Sequence, residues 1–240
     1  MGPPFFRSSL TNNWFVWRRS IAKSAKISSR SWRTLCALCD TSTPIYYKEY
    51  PMLKKEARKL YRQKRMDLSI QQMTKMDDLM LIQFQSAGVP FIHSVLSYWP
   101  IEENNEPDTY LFTEYLKFRN PELKVCYPVS DFSSLTMQAV VTDVDTPFLK
   151  TELNIHEPDS RDILLPEHID LVFVPLLAFD TNGYRVGYGK GFYDKYLASC
   201  SPDCLKVGFC YFAPVDKLDD LHEFDLPLDI VVTPDNTYVF

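Results

Sequence analysis

Apolar stretches alternate with amphipathic, charged stretches from residue 52 onward. This alternation predicts an α/β fold: a doubly wound, mainly parallel sheet with helices on both faces, in a single domain. Two further observations point the same way. Ile169 to Phe179, IDLVFVPLLAF, is an almost unbroken apolar run, which suits a central strand covered on both faces. Four of the seven glycines (Gly183, Gly187, Gly189, Gly191) follow it directly, where open α/β sheets bind ligands, at a strand's carboxyl end.

The elements follow in order. Met52 to about Asp67 reads as a helix with a dense basic face of Lys54, Lys55, Arg58, Lys59, Arg62, Lys64 and Arg65. Lys54, Arg58, Arg62 and Arg65 are spaced to share one side. Like charges stacked this way repel, which suits an anionic partner; a solvated face gives the same pattern. Ser69 caps a second helix running to about Ala87, with Gln72 at the capping-box position. Ile70, Met73, Met76, Met80 and Phe84 recur at helical spacing, and Gly88 and Pro90 end it. Phe91 to Trp99 reads as a buried strand. A helix from Asp108 or Thr109 through Leu116 follows, then a short strand from Leu123 to Tyr127 closed by Pro128. Met137–Thr142 and Phe148–Leu153 read as short strands, Phe192 to Ala198 as a helix, and Lys206–Phe212 and Ile230–Thr233 as strands. There is no internal repeat.

Composition narrows the function classes. The chain has 240 residues, 45% apolar and 24% charged, with a net charge of −5. Residues 1–51 carry eight basic and two acidic side chains; taking that +6 from the total leaves −11 for the rest. An acidic body is a poor nonspecific nucleic-acid binder, so an anionic ligand must be held by local geometry. The Arg- and Ser-rich stretch 1–51 reads as a leader, disordered or dispensable, outside the domain at 52–240. It has the composition of a mitochondrial transit peptide; alternatively Met52 is the working start. The six cysteines form no regular framework and read as reduced thiols, with Cys36 and Cys39 a chance C-x-x-C spacing. No apolar run approaches the roughly 18 residues of a membrane span.

The segment Gly183–Tyr196, GYRVGYGKGFYDKY, reads as a phosphate cradle between a buried strand and a helix. Glycines let backbone N–H groups converge on phosphate oxygens, aided by the following helix N-terminus. Arg185 and Lys190 supply positive charge, and Asp194 is placed to hold Mg²⁺ bridging to phosphates. A flexible turn with Asp194 easing the helix dipole is the plainer reading. The segment is neither a Walker A motif nor a Rossmann fingerprint.

Val174 to Tyr196, VPLLAFDTNGYRVGYGKGFYDKY, resembles the signature of the 5-formyltetrahydrofolate cyclo-ligase family: an apolar strand, then F-D-x-x-G-x-R-L-G-x-G-x-G-Y-Y-D. Val186 stands for the usual Leu and Phe192 for the first Tyr. Lys54-Lys55-Glu56-Ala57-Arg58 with Arg62, Arg65 and Leu68-Ser69 is similar to the family's basic helix. Leu228 to Thr233 resembles its C-terminal strand. The likeness spans about Met52 to Thr233.

The resemblance implies an enzyme that converts 5-formyltetrahydrofolate to 5,10-methenyltetrahydrofolate, using ATP and Mg²⁺, through a phosphorylated formyl (imidate phosphate) intermediate. It implies that Lys54, Lys55, Glu56, Ala57, Arg58 and the run Arg185, Val186, Gly187, Tyr188, Gly189, Lys190, Gly191, Phe192, Tyr193 surround ATP. Arg185 and Lys190 carry the catalytic charge, and Asp194 and Asp229 hold the metal. Trp99, Glu106 and Tyr188 to Phe192 line the folate pocket; because WPIEENNEPD is about two residues longer than usual, Glu102 and Glu103 are alternative registers for Glu106. The implied partners are small molecules alone, with no nucleic acid or membrane, for a monomer in the cytoplasm, or in mitochondria if residues 1–51 are a transit peptide. A non-catalytic nucleotide- or RNA-binding module and a sugar-phosphate isomerase are the competing classes. His93, His156, His168 and His222 are scattered and read as structural or exposed.

Overall fold

The computed structural model describes residues 52–151 and 155–240; the expectations for residues 1–51, Cys36 and Cys39 included, lie outside them. The first helix, α1 (Lys54–Met66), begins without a side-chain cap of its own. Asp220 supplies one from far along the chain, accepting the Lys54 N–H at 2.7 Å. Helix α2 (Ile70–Ser86) has the predicted capping box between Ser69 and Gln72, and Gly88 follows at φ 67. Its packed stripe is Asp77, Met80 and Phe84, not the full predicted row: Ile70 is 77% exposed because packing starts only midway along the helix.

Strand β1 spans only Ser94–Leu96, shorter than the predicted run, and α3 (Thr109–Arg119) starts after its N-cap Asp108. Strand β2 (Lys124–Asp131) continues through Pro128. Its pairing with β1 has already ended at Cys126, so Pro128 occupies an edge position on that side. Next come β3 (Thr136–Thr142), the hairpin β4 (Phe148–Lys150) and β5 (His156–Pro158), and β6 (Ile163–Leu164). The apolar run at 169–179 is split. Only Leu171–Phe173 forms the central strand β7, and Pro175 interrupts the ladder because it has no N–H to give. The chain then turns into a separate hairpin, β8 (Ala178–Phe179) with β9 (Arg185–Val186). Helix α4 (Phe192–Leu197), β10 (Leu205–Phe209), β11 (Ile230–Val232) and β12 (Thr237–Val239) complete the chain.

The main sheet runs β12-β11-β10-β7-β1-β2-β3-β6. The pairs from β11 to β2 are parallel, while β3 and β6 add antiparallel on one side. Helices cover both faces, as the alternation predicts. On one face Phe84 of α2 meets Phe112, Phe173 and Phe209 edge-on, and Phe112 stacks on Phe209 with centroids 3.8 Å apart. On the other, Tyr196 and Leu197 of α4 pack with Leu96, Cys126 and Val172. No helix among the described residues is long and apolar enough to cross a membrane.

Candidate active site

A cavity of about 810 Å³ opens at the carboxyl ends of the strands, beside Trp99 after β1, Pro128 and Ser130 of β2, and Pro175 after β7. Its size suits a ligand of drug-like dimensions or larger.

The glycine loop forms one wall. Asp180 shapes its approach: buried, it accepts the N–H groups of Asn182 (2.9 Å) and Tyr184 (3.0 Å) with one oxygen and that of Leu218 with the other. This Asx turn closes the β8–β9 hairpin and makes Asp180 a structural residue. Gly183 is structural too, since a Cβ there would lie 2.8 Å from the Phe240 ring. Beyond β9 the loop enters the cavity with Gly187, Tyr188, Gly189, Lys190 and Gly191. Arg185 is buried and committed: it donates to the Leu226 carbonyl at 3.1 Å and to Asp194 at 2.9 Å. Its charge therefore orients Asp194, whose side chain is partly exposed at the cavity wall. Lys190 is exposed.

Helix α1 supplies the facing cations. Lys54, Lys55, Arg58 and Arg62 line the cavity, and Arg58 Nε donates to the Gly187 carbonyl at 2.8 Å. Lys54 is paired with Asp225. Burial alone would raise the Asp225 carboxyl, but the His222 N–H and the Lys54 ammonium hold it below its ordinary value.

The other end is aromatic and carries one buried carboxylate. Trp99 packs against Phe148 (4.8 Å) and His156 (5.0 Å), and Phe192 against Phe132 (5.1 Å). Glu106 accepts the Ile101 N–H at 2.9 Å with one oxygen and the Tyr188 hydroxyl with the other. Tyr188 in turn accepts a bond from Arg65, whose guanidinium lies 3.9 Å from Glu106. Burial pushes the Glu106 carboxyl above its ordinary value, and these neighbours pull it back. Tyr188 and Tyr193 are also pushed up, first by burial and then by the nearby Glu106 charge.

The sequence-predicted residues sort clearly. Lys54, Lys55, Arg58, Trp99, Glu106, Arg185, Gly187 to Tyr193 and Asp194 meet at this cavity. Glu106 is the register that reaches it; Glu102 and Glu103 lie in a short 3-10 turn, with Glu103 3.6 Å from Lys150. Glu56 is exposed, Ala57 and Val186 are packed in the core, and none of the three lines the cavity. The expected Asp194–Asp229 metal pair is not assembled. Asp229 lies at the amino ends of β10 and β11, the edge opposite the cavity, and its carboxylate takes the Lys206 N–H (2.9 Å) and ammonium (2.6 Å). No cluster of three or more metal-ligating side chains occurs among the described residues. Sequence reasoning missed His156, which lines the cavity, and the buried Arg65 behind Tyr188. The spacing within α1 marked Arg65 only as one more charge on a basic face.

Residues 53–234 match the 5-formyltetrahydrofolate cyclo-ligase family. A 5-formyltetrahydrofolate cyclo-ligase of Mycoplasma pneumoniae is 31% identical over 185 residues, covering 75% of this chain and 98% of that one. Two solved structures of 5,10-methenyltetrahydrofolate synthetases share the fold. The one from Aquifex aeolicus has a TM-score of 0.63 at 30% identity, covering 78% of this chain and 93% of its own. The one from Mycoplasma pneumoniae has a TM-score of 0.59 at 27% identity, covering 76% and 99%.

Proposed function

The chain belongs to the 5-formyltetrahydrofolate cyclo-ligase family, and from that premise we propose that it converts 5-formyltetrahydrofolate to 5,10-methenyltetrahydrofolate with ATP as co-substrate, releasing ADP and phosphate. One observation carries the reading. A single cavity is lined both by cations (Lys55, Arg58, Lys190) and by aromatic rings with one buried carboxylate (Trp99, His156, Tyr188, Glu106). A polyphosphate suits the first and a reduced pterin the second.

The chemistry asks for alignment and charge neutralisation, because the formyl oxygen leaves poorly as hydroxide. The oxygen attacks the terminal phosphorus as the bond to ADP breaks, giving an imidate phosphate. The second folate nitrogen then attacks the formyl carbon and loses its proton, and phosphate departs with the oxygen. Arg58 and Lys190 neutralise charge developing on the transferred group. Arg58 is already anchored on the Gly187 carbonyl and loses little freedom in doing so. The donor set also fits a hard cation: Asp194, fixed by Arg185, would hold Mg²⁺ together with the substrate's phosphate oxygens, where the ion would add Lewis-acid neutralisation. No side-chain nucleophile is needed. At the folate end Glu106 accepts N–H groups of the pterin, while Trp99 and Phe192 cover its faces.

The test is direct. Protein mixed with ATP, Mg²⁺ and 5-formyltetrahydrofolate should develop the methenyl chromophore, and omission of ATP should abolish it. Nucleotide binding without any chromophore would favour the non-catalytic module; turnover of a sugar phosphate without ATP would favour the isomerase.

A further inference from the structure

Arg65 carries a charge into the interior without touching the cavity. It is 3% exposed and lies behind Tyr188 and Glu106, which do line the cavity. Its guanidinium donates to the Leu176 carbonyl at 3.2 Å and to the Tyr188 hydroxyl, and its Nε is buried without a hydrogen-bond partner. A buried guanidinium with an unmet N–H is a poor choice for stability, since an apolar side chain of similar volume avoids the desolvation. The placement therefore calls for another explanation.

Its partners supply one. Tyr188 accepts from Arg65, so its own proton is directed onward to Glu106. The same guanidinium lies 3.9 Å from that carboxylate oxygen. A second contact repeats the grip: the side-chain amide of Asn105, adjacent to Glu106, donates to the Arg65 main-chain carbonyl at 3.0 Å. Helix α1, the glycine loop and the Glu106 loop thus converge on one buried residue. We propose that Arg65 is a positioning residue which, through Tyr188, fixes Glu106 as an oriented hydrogen-bond acceptor, and so sets the affinity for the pterin ring while leaving the ATP wall unaffected. This rests on the folate reading of the cavity.

The test separates the two substrates. In Arg65→Met, KM for 5-formyltetrahydrofolate should rise on the order of 10- to 100-fold, while KM for ATP stays within about twofold. Tyr188→Phe should show the same asymmetry, and the double variant should rise no further than the larger single effect, because the two residues act as one unit. Should Arg65→Met fail to fold, Arg65→Lys takes its place; it keeps a buried cation without the two-point grip, and the same asymmetric rise is expected. An unchanged folate KM, equal rises in both KM values, or multiplying effects in the double variant would overturn the assignment. An inactive wild type would overturn the folate reading and this inference with it, whereas an active wild type with any of those results overturns Arg65 alone.

Discussion

Alanine placed at three glycines of one loop should give three different results. Gly187 lacks the left-handed φ of its neighbours, and an added Cβ would sit 3.8 Å from the Pro175 carbonyl, an unstrained contact. Gly187→Ala should change stability by no more than about 0.5 kcal/mol. Gly191 has φ +76, with nothing within 4 Å of the added atom. Only the left-handed backbone is penalised there, by about 1 kcal/mol. Gly189 combines both problems: φ is +86 and the Cβ would meet the Arg58 guanidinium at 3.3 Å. Displacing Arg58 also loosens its 2.8 Å bond to Gly187, a charged hydrogen bond at a half-buried site worth about 1 kcal/mol. Gly189→Ala should therefore cost about 2 kcal/mol in urea unfolding. It should also raise KM for ATP on the order of tenfold, about 1.4 kcal/mol. Gly187→Ala should leave KM for ATP within about twofold. If Gly187→Ala proves as damaging as Gly189→Ala, or Gly189→Ala leaves KM for ATP unchanged, the close approach of Arg58 is not what the glycine provides.

Lys190→Ala and Arg185→Ala should each slow turnover on the order of 10²-fold, about 3 kcal/mol. Only Arg185→Ala should also lower the melting temperature, since Lys190 is exposed and Arg185 is buried between Leu226 and Asp194; a melting loss in Lys190→Ala would contradict this. Asp194→Asn should raise the Mg²⁺ concentration needed for half-maximal rate, and unchanged metal dependence would remove Asp194 from that role. Asp77 is lifted by burial to about 7, against the opposing Tyr211 and Asp108 bonds. The folded state then holds a proton that the unfolded state has released, so stability should fall as pH rises from about 4 to about 7 and level off above; Asp77→Asn, whose amide oxygen accepts the same bonds, should flatten that slope in thermal melts, and an unaltered slope would refute the assignment. Phe84→Ala should cost about 3–5 kcal/mol in urea unfolding, as Phe84 is the edge-on hub of the aromatic face; a loss below about 1.5 kcal/mol would show that the rings repack.

What was legible in the sequence was local or periodic. The Ser69–Gln72 capping box lies within one turn, and the glycine loop declares itself by spacing. Strand lengths were harder, because an apolar run reports burial and not pairing. Ile169–Phe179 is buried apart from the half-buried Asp170 and Pro175, yet Pro175 divides it between the main sheet and a separate hairpin. Conversely, Pro128 looked like a stop and is not one, since what matters is which neighbour still pairs at that point. The site followed the same rule. Lys54, Arg58 and the loop were readable as motifs, whereas the Arg65–Tyr188–Glu106 contact joins residues that no spacing relates. Asp229 shows the opposite error: its motif was readable, but the strand direction places its carboxylate at the other edge of the sheet, on Lys206.

The loop from Gly187 to Phe192 serves both walls by assigning successive residues to different neighbours. The Gly187 carbonyl holds Arg58, and the small size of Gly189 admits the same guanidinium, so these two positions face the cationic wall. Between them Tyr188 reaches the other way, to Glu106 and Arg65. Phe192, further along the loop, packs its ring edge-on against Phe132. The hydroxyl that orients the buried carboxylate therefore belongs to Tyr188. The Tyr188–Glu106 contact does not depend on a hydroxyl at position 192. The loop thus contributes to both groups of lining residues, with α1 completing the cationic one and Trp99, His156 and Glu106 the aromatic and acidic one.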